Sequence, residues 1–190
     1  VNRRAVLSIV GVVAVLIVVV ALTTFLRDDK AGPEAQIEGL QTFSGLTNTH
    51  VEGNVAYDHT PPAGGDHFAA WMDCGVYDTQ VADELAVHNI EHGGIWIAYD
   101  PDALDDAQVA ALADQVPDNG IMTPYAGLDA PVVVTSWERQ VALDGVDDPR
   151  LRTFVDTYEN NPIAPESGLV TCTGGVDAAE AAQIAQQYGL

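Results

Sequence analysis

The sequence predicts an α+β fold, a small central sheet with packed helices, preceded by one N-terminal transmembrane helix. Three observations predict it. Apolar runs of strand length interleave with helical patterns between residues 41 and 190. A long run near the N-terminus carries no charge at all. The chain has 190 residues, enough for one substantial core and hardly for two.

The charge-free run is AVLSIVGVVAVLIVVVALTTFL, Ala5 to Leu26. Twenty-two residues of helix at about 1.5 Å each reach about 33 Å, enough for a hydrocarbon core of about 30 Å. A cleaved signal peptide is the competing reading. It would have a shorter apolar part, about 7–15 residues, and a small-x-small site. ALTTFLRDD offers a poor site, which favours a retained anchor. Arg3 and Arg4 stand unopposed, whereas Arg27 and Lys30 flank Asp28 and Asp29. This bias places the N-terminus inside and the C-terminal domain outside, in a single-pass protein of the cell membrane. The expected division is an anchor over residues 1–27, a polar linker over 28–40 and an extracytoplasmic α+β domain over 41–190.

Residues 41–68 are rich in Gly, Thr, Asn and Pro, with a weak strand signal at HVEGNVAY and turn punctuation at TPPAGGD. DTQVADELAVHNIEH reads as a helix, with Asp78 or Thr79 as N-cap and Gly93 closing it. GIWIAYD reads as a buried strand. DALDDAQVAALADQV reads as a helix with an acidic first turn, as the helix dipole favours. PVVVTSWE and RQVALD read as a hairpin turning at Trp137–Arg139. DPRLRTFVDTYEN and VDAAEAAQIAQQYGL read as helices.

Charge narrows the partners. Residues 31–190 hold 26 acidic residues and 3 arginines, a balance of −23. Nucleic acid is excluded as a partner on this ground. A membrane-protein partner, reached through the anchor, fits the predicted placement. The two cysteines, Cys74 and Cys172, form no CxxC pair. In an exported domain they suggest a disulfide closing a loop of about a hundred residues. The alternative is Cys74 as a thiolate ligand near the histidines.

All five histidines fall between residues 50 and 92. On a helical wheel His88 and His92 share the apolar stripe of Val81 and Leu85, so both point inward. Two imidazoles one turn apart can bind one ion. His50, His59 and His67 lie on the preceding loops and can complete the set. The expected ligands are His50, His67, His88 and His92, with Met122 of GIMTPY as a thioether. Glu84 and Glu91 are expected behind them, fixing imidazole tautomers. An available methionine favours copper, with zinc second. A buried hydrogen-bonding cluster without metal is the alternative. His88-x-x-Glu91-His92 also matches the H-x-x-E-H pattern of inverted zinc peptidases, in which the glutamate is general base. Here the motif ends directly in Gly-Gly, which weakens that match. Ser44, Ser136 and Ser167 lie in no nucleophile-elbow context, and no phosphate-binding glycine loop occurs.

HVEGNVAY, PPAGGDH, WMDCGVY, VHNIEHGGIWIAYDP and TPYAGLDAPVVVTSWERQVAL together resemble domain-of-unknown-function family 3105, found mainly in actinobacteria. The resemblance covers about residues 40–165. It matches at His50, His67, Cys74, His88, Glu91, His92 and Trp137, and leaves His59 outside. It implies an exported domain on an N-terminal anchor and no particular activity. The functional expectation is therefore a membrane-anchored metal-binding or metal-handling domain. An accessory subunit of a membrane complex and a zinc hydrolase using Glu91 are the alternatives.

Overall fold

The computed structural model describes residue 34, residues 37–168 and residues 174–190. Ala5–Leu26 and Cys172 lie outside these, and so do the expected anchor and the partner of Cys74. Among the described residues no helix is long and apolar enough to cross a membrane. Residues Ile37–Leu190 form one compact unit.

That unit is α+β, a six-stranded mixed sheet with four helices. The strands are β1 (Gln41–Thr42), β2 (Gly75–Val76), β3 (Ile95–Tyr99), β4 (Gly120–Pro124), β5 (Val132–Ser136) and β6 (Arg139–Leu143). The helices are α1 (Asp83–Glu91), α2 (Asp106–Ala113), α3 (Pro149–Tyr158) and α4 (Ala178–Tyr188). The sheet order is β1-β6-β5-β3-β4-β2. β3 is central, parallel to β4 and antiparallel to β5.

Every residue of β3, β4 and β5 is buried. A strand covered on both faces reads as a continuous apolar run, which is why IWIAY and VVVTS show no polar alternation. One face packs Ile95, Ile97, Met122, Val132 and Val134 against Leu112 of α2 and Leu151 and Phe154 of α3. The other packs Trp96, Ala98, Ile121 and Val133 against Leu85, Ala86 and Ile90 of α1. Trp96 also donates from Nε1 to Thr123 Oγ1 at 3.0 Å, so its one polar atom is satisfied in the core.

Three expectations need correction. GIMTP, which carries no strand pattern of its own, is β4. Its terminal Thr-Pro resembles a turn, yet Pro124 sits at the strand end, where a missing N–H costs no interior bond. HVEGNVAY forms no strand; its only β-pairing among the described residues is an isolated bridge between His50 and His67. Helix α1 starts at Asp83 rather than near Thr79, and its N-cap Ala82 has no side-chain cap bond. Tertiary partners set that start instead. Glu84 Oε1 accepts from the Val55 backbone N–H at 2.7 Å, and Asp83 Oδ2 accepts from Tyr125 Oη at 2.9 Å. The other helix starts follow local chemistry. Asp105 and Asp177 close capping boxes with Gln108 and Glu180, and Asp148 caps α3 with Pro149 at its first position.

Candidate metal centre

Helix α1 supplies the inward end of the site. It is buried on nearly every side, from Glu84 to Glu91. His88 is 2 % exposed and His92 5 %, as the wheel requires, and Glu91 is 1 % exposed. After His92 the chain leaves the helix at Gly93, whose φ is 85°. Gly94 then approaches the helix so closely that a Cβ there would lie 2.7 Å from the Asn89 carbonyl oxygen. This tight turn feeds β3 directly beneath α1.

Two loops bring in the remaining histidines. The segment 61–67 is fixed to the β5–β6 hairpin: Glu138 N–H donates to Ala63 O at 2.8 Å, and Gln140 Nε2 donates to Pro61 O at 2.9 Å. Its last residue, His67, is fully buried. The segment carrying His50 then pairs with it, through Val51 N–H to His67 O at 2.8 Å and His67 N–H to Thr49 O at 3.1 Å. On the other side, Asn89 of α1 exchanges two hydrogen bonds with the Met72 backbone, at 2.8 and 2.9 Å. That holds the chain after His67 along the helix.

The result is a convergence on one carboxylate oxygen. Glu91 Oε2 lies 2.9 Å from His67 Nε2, 3.7 Å from His50 Nε2 and 3.9 Å from His88 Nε2. The four ligand atoms all lie within 4.8 Å of one another. The three imidazole centroids are 4.8–5.0 Å apart. Asn48 Nδ2 donates to Glu91 Oε1 at 2.9 Å and so orients the carboxylate. A second group, His88, His92 and Glu166, adjoins the first.

Tautomers decide what these nitrogens can do. His67 Nδ1 faces Gly65 O at 2.8 Å, and His88 Nδ1 faces Phe68 O at 2.9 Å. A carbonyl only accepts, so both Nδ1 atoms carry the proton and donate. His67 Nε2 shares a 2.9 Å hydrogen bond with Glu91 Oε2, a bond whose proton a metal ion would displace, while His88 Nε2, a lone pair in the neutral ring, lies 3.9 Å from the same oxygen. Burial pushes the His88 imidazolium down to about 3, opposed by its bond to Phe68 and reinforced by the neighbouring histidines. Burial likewise pushes His92 down to about 4, against the raising influence of Glu91. Both rings are therefore neutral at pH 7.

The donor set fits a metal ion. Donors around a tetrahedral ion with bonds of about 2.0–2.1 Å stand about 3.3–3.4 Å apart; here Glu91 Oε2 stands 2.9–3.9 Å from the three nitrogens, and all four atoms lie within 4.8 Å of one another. Backbone carbonyls holding Nδ1–H while Nε2 faces the site are the usual support for an imidazole ligand. His67, His88 and Glu91 are sealed, whereas the His50 side chain is 43 % exposed, so the group opens to solvent on one side.

The remaining expected residues lie elsewhere. Met122 is in β4 on the sheet face opposite α1, packed among the α2 and α3 side chains, so the core claims its thioether. Glu84 binds the Val55 backbone rather than an imidazole; Phe68 O fixes His88 instead. Glu91 stands among the donors instead of behind them. His59 stacks on Phe43 at 4.2 Å. Cys74 belongs to neither ligand group, and no described cysteine is free. Its expected pairing with Cys172 rests on a residue outside the described ones. Asn48 and Glu166 were not foreseen. Both are loop residues outside any periodic pattern, and only the folded chain brings them in.

A model of the protein family of unknown function DUF3105 matches residues 50–174. The chain belongs to this family. The match spans all the residues of both ligand groups. No curated protein and no solved structure matches the chain.

Proposed function

We propose that the domain binds one divalent first-row transition-metal ion through His50, His67, His88 and Glu91, for metal holding and handling. The observation that carries this is the meeting of three imidazole Nε2 atoms on Glu91 Oε2, with two rings locked by backbone carbonyls. Imidazole and carboxylate donors suit zinc. Without a thioether the argument for copper loses its main support, so zinc comes first and copper second. The hydrolase reading is weaker. That mechanism needs Glu91 free as general base, whereas its carboxylate oxygen stands 2.9–3.9 Å from three imidazole nitrogens among the donors of the inner group.

The charge-free run Ala5–Leu26 supports an anchor that holds this site outside the cell membrane. The deciding experiment is metal analysis of the purified chain. One zinc per chain is expected at neutral pH, reduced to weak binding in His67→Ala and lost in His88→Ala. Retention of no zinc or copper, and no uptake at micromolar levels, overturns the proposal. For topology, a C-terminal alkaline phosphatase fusion is expected to be active; an inactive fusion reverses the orientation.

A further inference from the structure

The two ligand groups share His88, and the chemistry of that one ring sets how they can be used. His92 Nε2 is buried without a hydrogen-bond partner, although His92 is only 5 % exposed. It lies 3.4 Å from Glu166 Oε2, too poorly aligned to be a hydrogen bond. An orphaned buried nitrogen is costly unless something binds it. The rings of His88 and His92 are 4.5 Å apart by centroid, and Trp71 packs against both, at 5.4 and 5.0 Å. The backbone places Glu166 deliberately: its N–H donates to the Glu91 carbonyl at 3.1 Å, at the end of α1. Its side chain is 38 % exposed.

We propose that His88, His92 and Glu166 form a second metal position that alternates with the first, so that one ion passes between them on His88. This rests on the metal reading above and extends it to the route of exchange. His88 cannot ligate an ion in both positions at once. An imidazole bridges two ions only by using both nitrogens, and His88 Nδ1 donates to Phe68 O. Its single Nε2 lone pair therefore serves one ion at a time. The inner position has four donors and the outer three, with a half-exposed carboxylate. The inner one holds the ion; the outer one receives and releases it.

The test uses the full 190-residue chain in detergent, loaded with zinc and mixed with a chromogenic chelator. Wild type is expected to hold one zinc per chain. Glu166→Gln and His92→Ala are expected to keep that stoichiometry but release zinc at least tenfold more slowly. Glu166→Gln keeps the backbone bond to Glu91, so its folding is not at risk. In His67→Ala the inner position fails, and the weak binding that remains is expected to vanish in His67→Ala/His92→Ala. Two zinc ions per wild-type chain, unchanged release rates in both variants, or residual binding indifferent to His92 overturns the alternation. If wild type binds no metal, the centre itself fails; if it binds one ion with unchanged rates, only the shared route fails.

Discussion

Acid should destabilise the metal-free domain through its buried neutral histidines, and His88 gives the cleanest measurement. Its imidazolium is pushed down to about 3 in the fold, chiefly by burial. The unfolded chain returns it to an ordinary value of about 6.5. Between these values the unfolded state binds the proton and the native state does not. The contribution to stability is therefore complete above about pH 6.5 and is lost as pH falls towards 3. At pH 5 the unfolded ring is protonated by about 1.5 units' worth of free energy, and each unit is about 1.4 kcal/mol, so His88 accounts for about 2 kcal/mol of loss. This figure hardly depends on the folded value, because the native ring is still neutral at pH 5. Other groups act in the same range. Burial raises Asp83 to about 6, which stabilises the fold as pH falls. A double difference removes them. Wild type and His88→Leu, both metal-free, are unfolded in urea at pH 7.5 and pH 5.0. The advantage of wild type over the variant is expected to shrink by about 2 kcal/mol on acidification. An advantage that stays constant, or grows, refutes the buried neutral imidazole.

Three further outcomes follow from the structure. Asn48→Ala frees the Glu91 carboxylate that Asn48 orients at 2.9 Å; a zinc affinity loss of about 10–100-fold is expected by competition with a chelator, with stability little changed. Phe154→Ala, at a fully buried position remote from the site, is expected to cost about 3–5 kcal/mol in urea unfolding and to leave zinc stoichiometry at one. Gly94→Ala would place a Cβ 2.7 Å from the Asn89 carbonyl and force the α1–β3 turn open; a melting temperature lower by several degrees is expected, with weakened zinc binding.

Much of this was legible in the sequence, because periodicity and capping are local. The strands IWIAY and VVVTS, the α2 and α4 capping boxes and the inward face of His88 and His92 all depend on near neighbours. What was not legible depended on distant ones. β4 is a strand because β3 and β2 pair with it on either side, which no local pattern in GIMTP announces. α1 begins where Val55 meets Glu84 and Tyr125 meets Asp83, 29 and 42 residues away in sequence, and not at the local cap. Nothing local to Met122 says which sheet face it takes, and the core face claims it. The place of Glu91 beside the imidazoles also depends on distant neighbours. The wheel put it off the apolar stripe, but α1 is covered on nearly all sides, so its flank is interior too. The motif histidines were visible, and their convergence was not. It required an isolated two-residue bridge between His50 and His67, which no periodicity announces.

The central claim is that three imidazoles and one carboxylate hold a single ion. X-ray absorption at the zinc edge of the loaded full-length chain tests it most directly. The account predicts nitrogen and oxygen donors at about 2.0–2.1 Å, with the multiple scattering of three imidazole rings and no sulfur. A sulfur shell at about 2.3 Å, or scattering from fewer than two imidazoles, would contradict it.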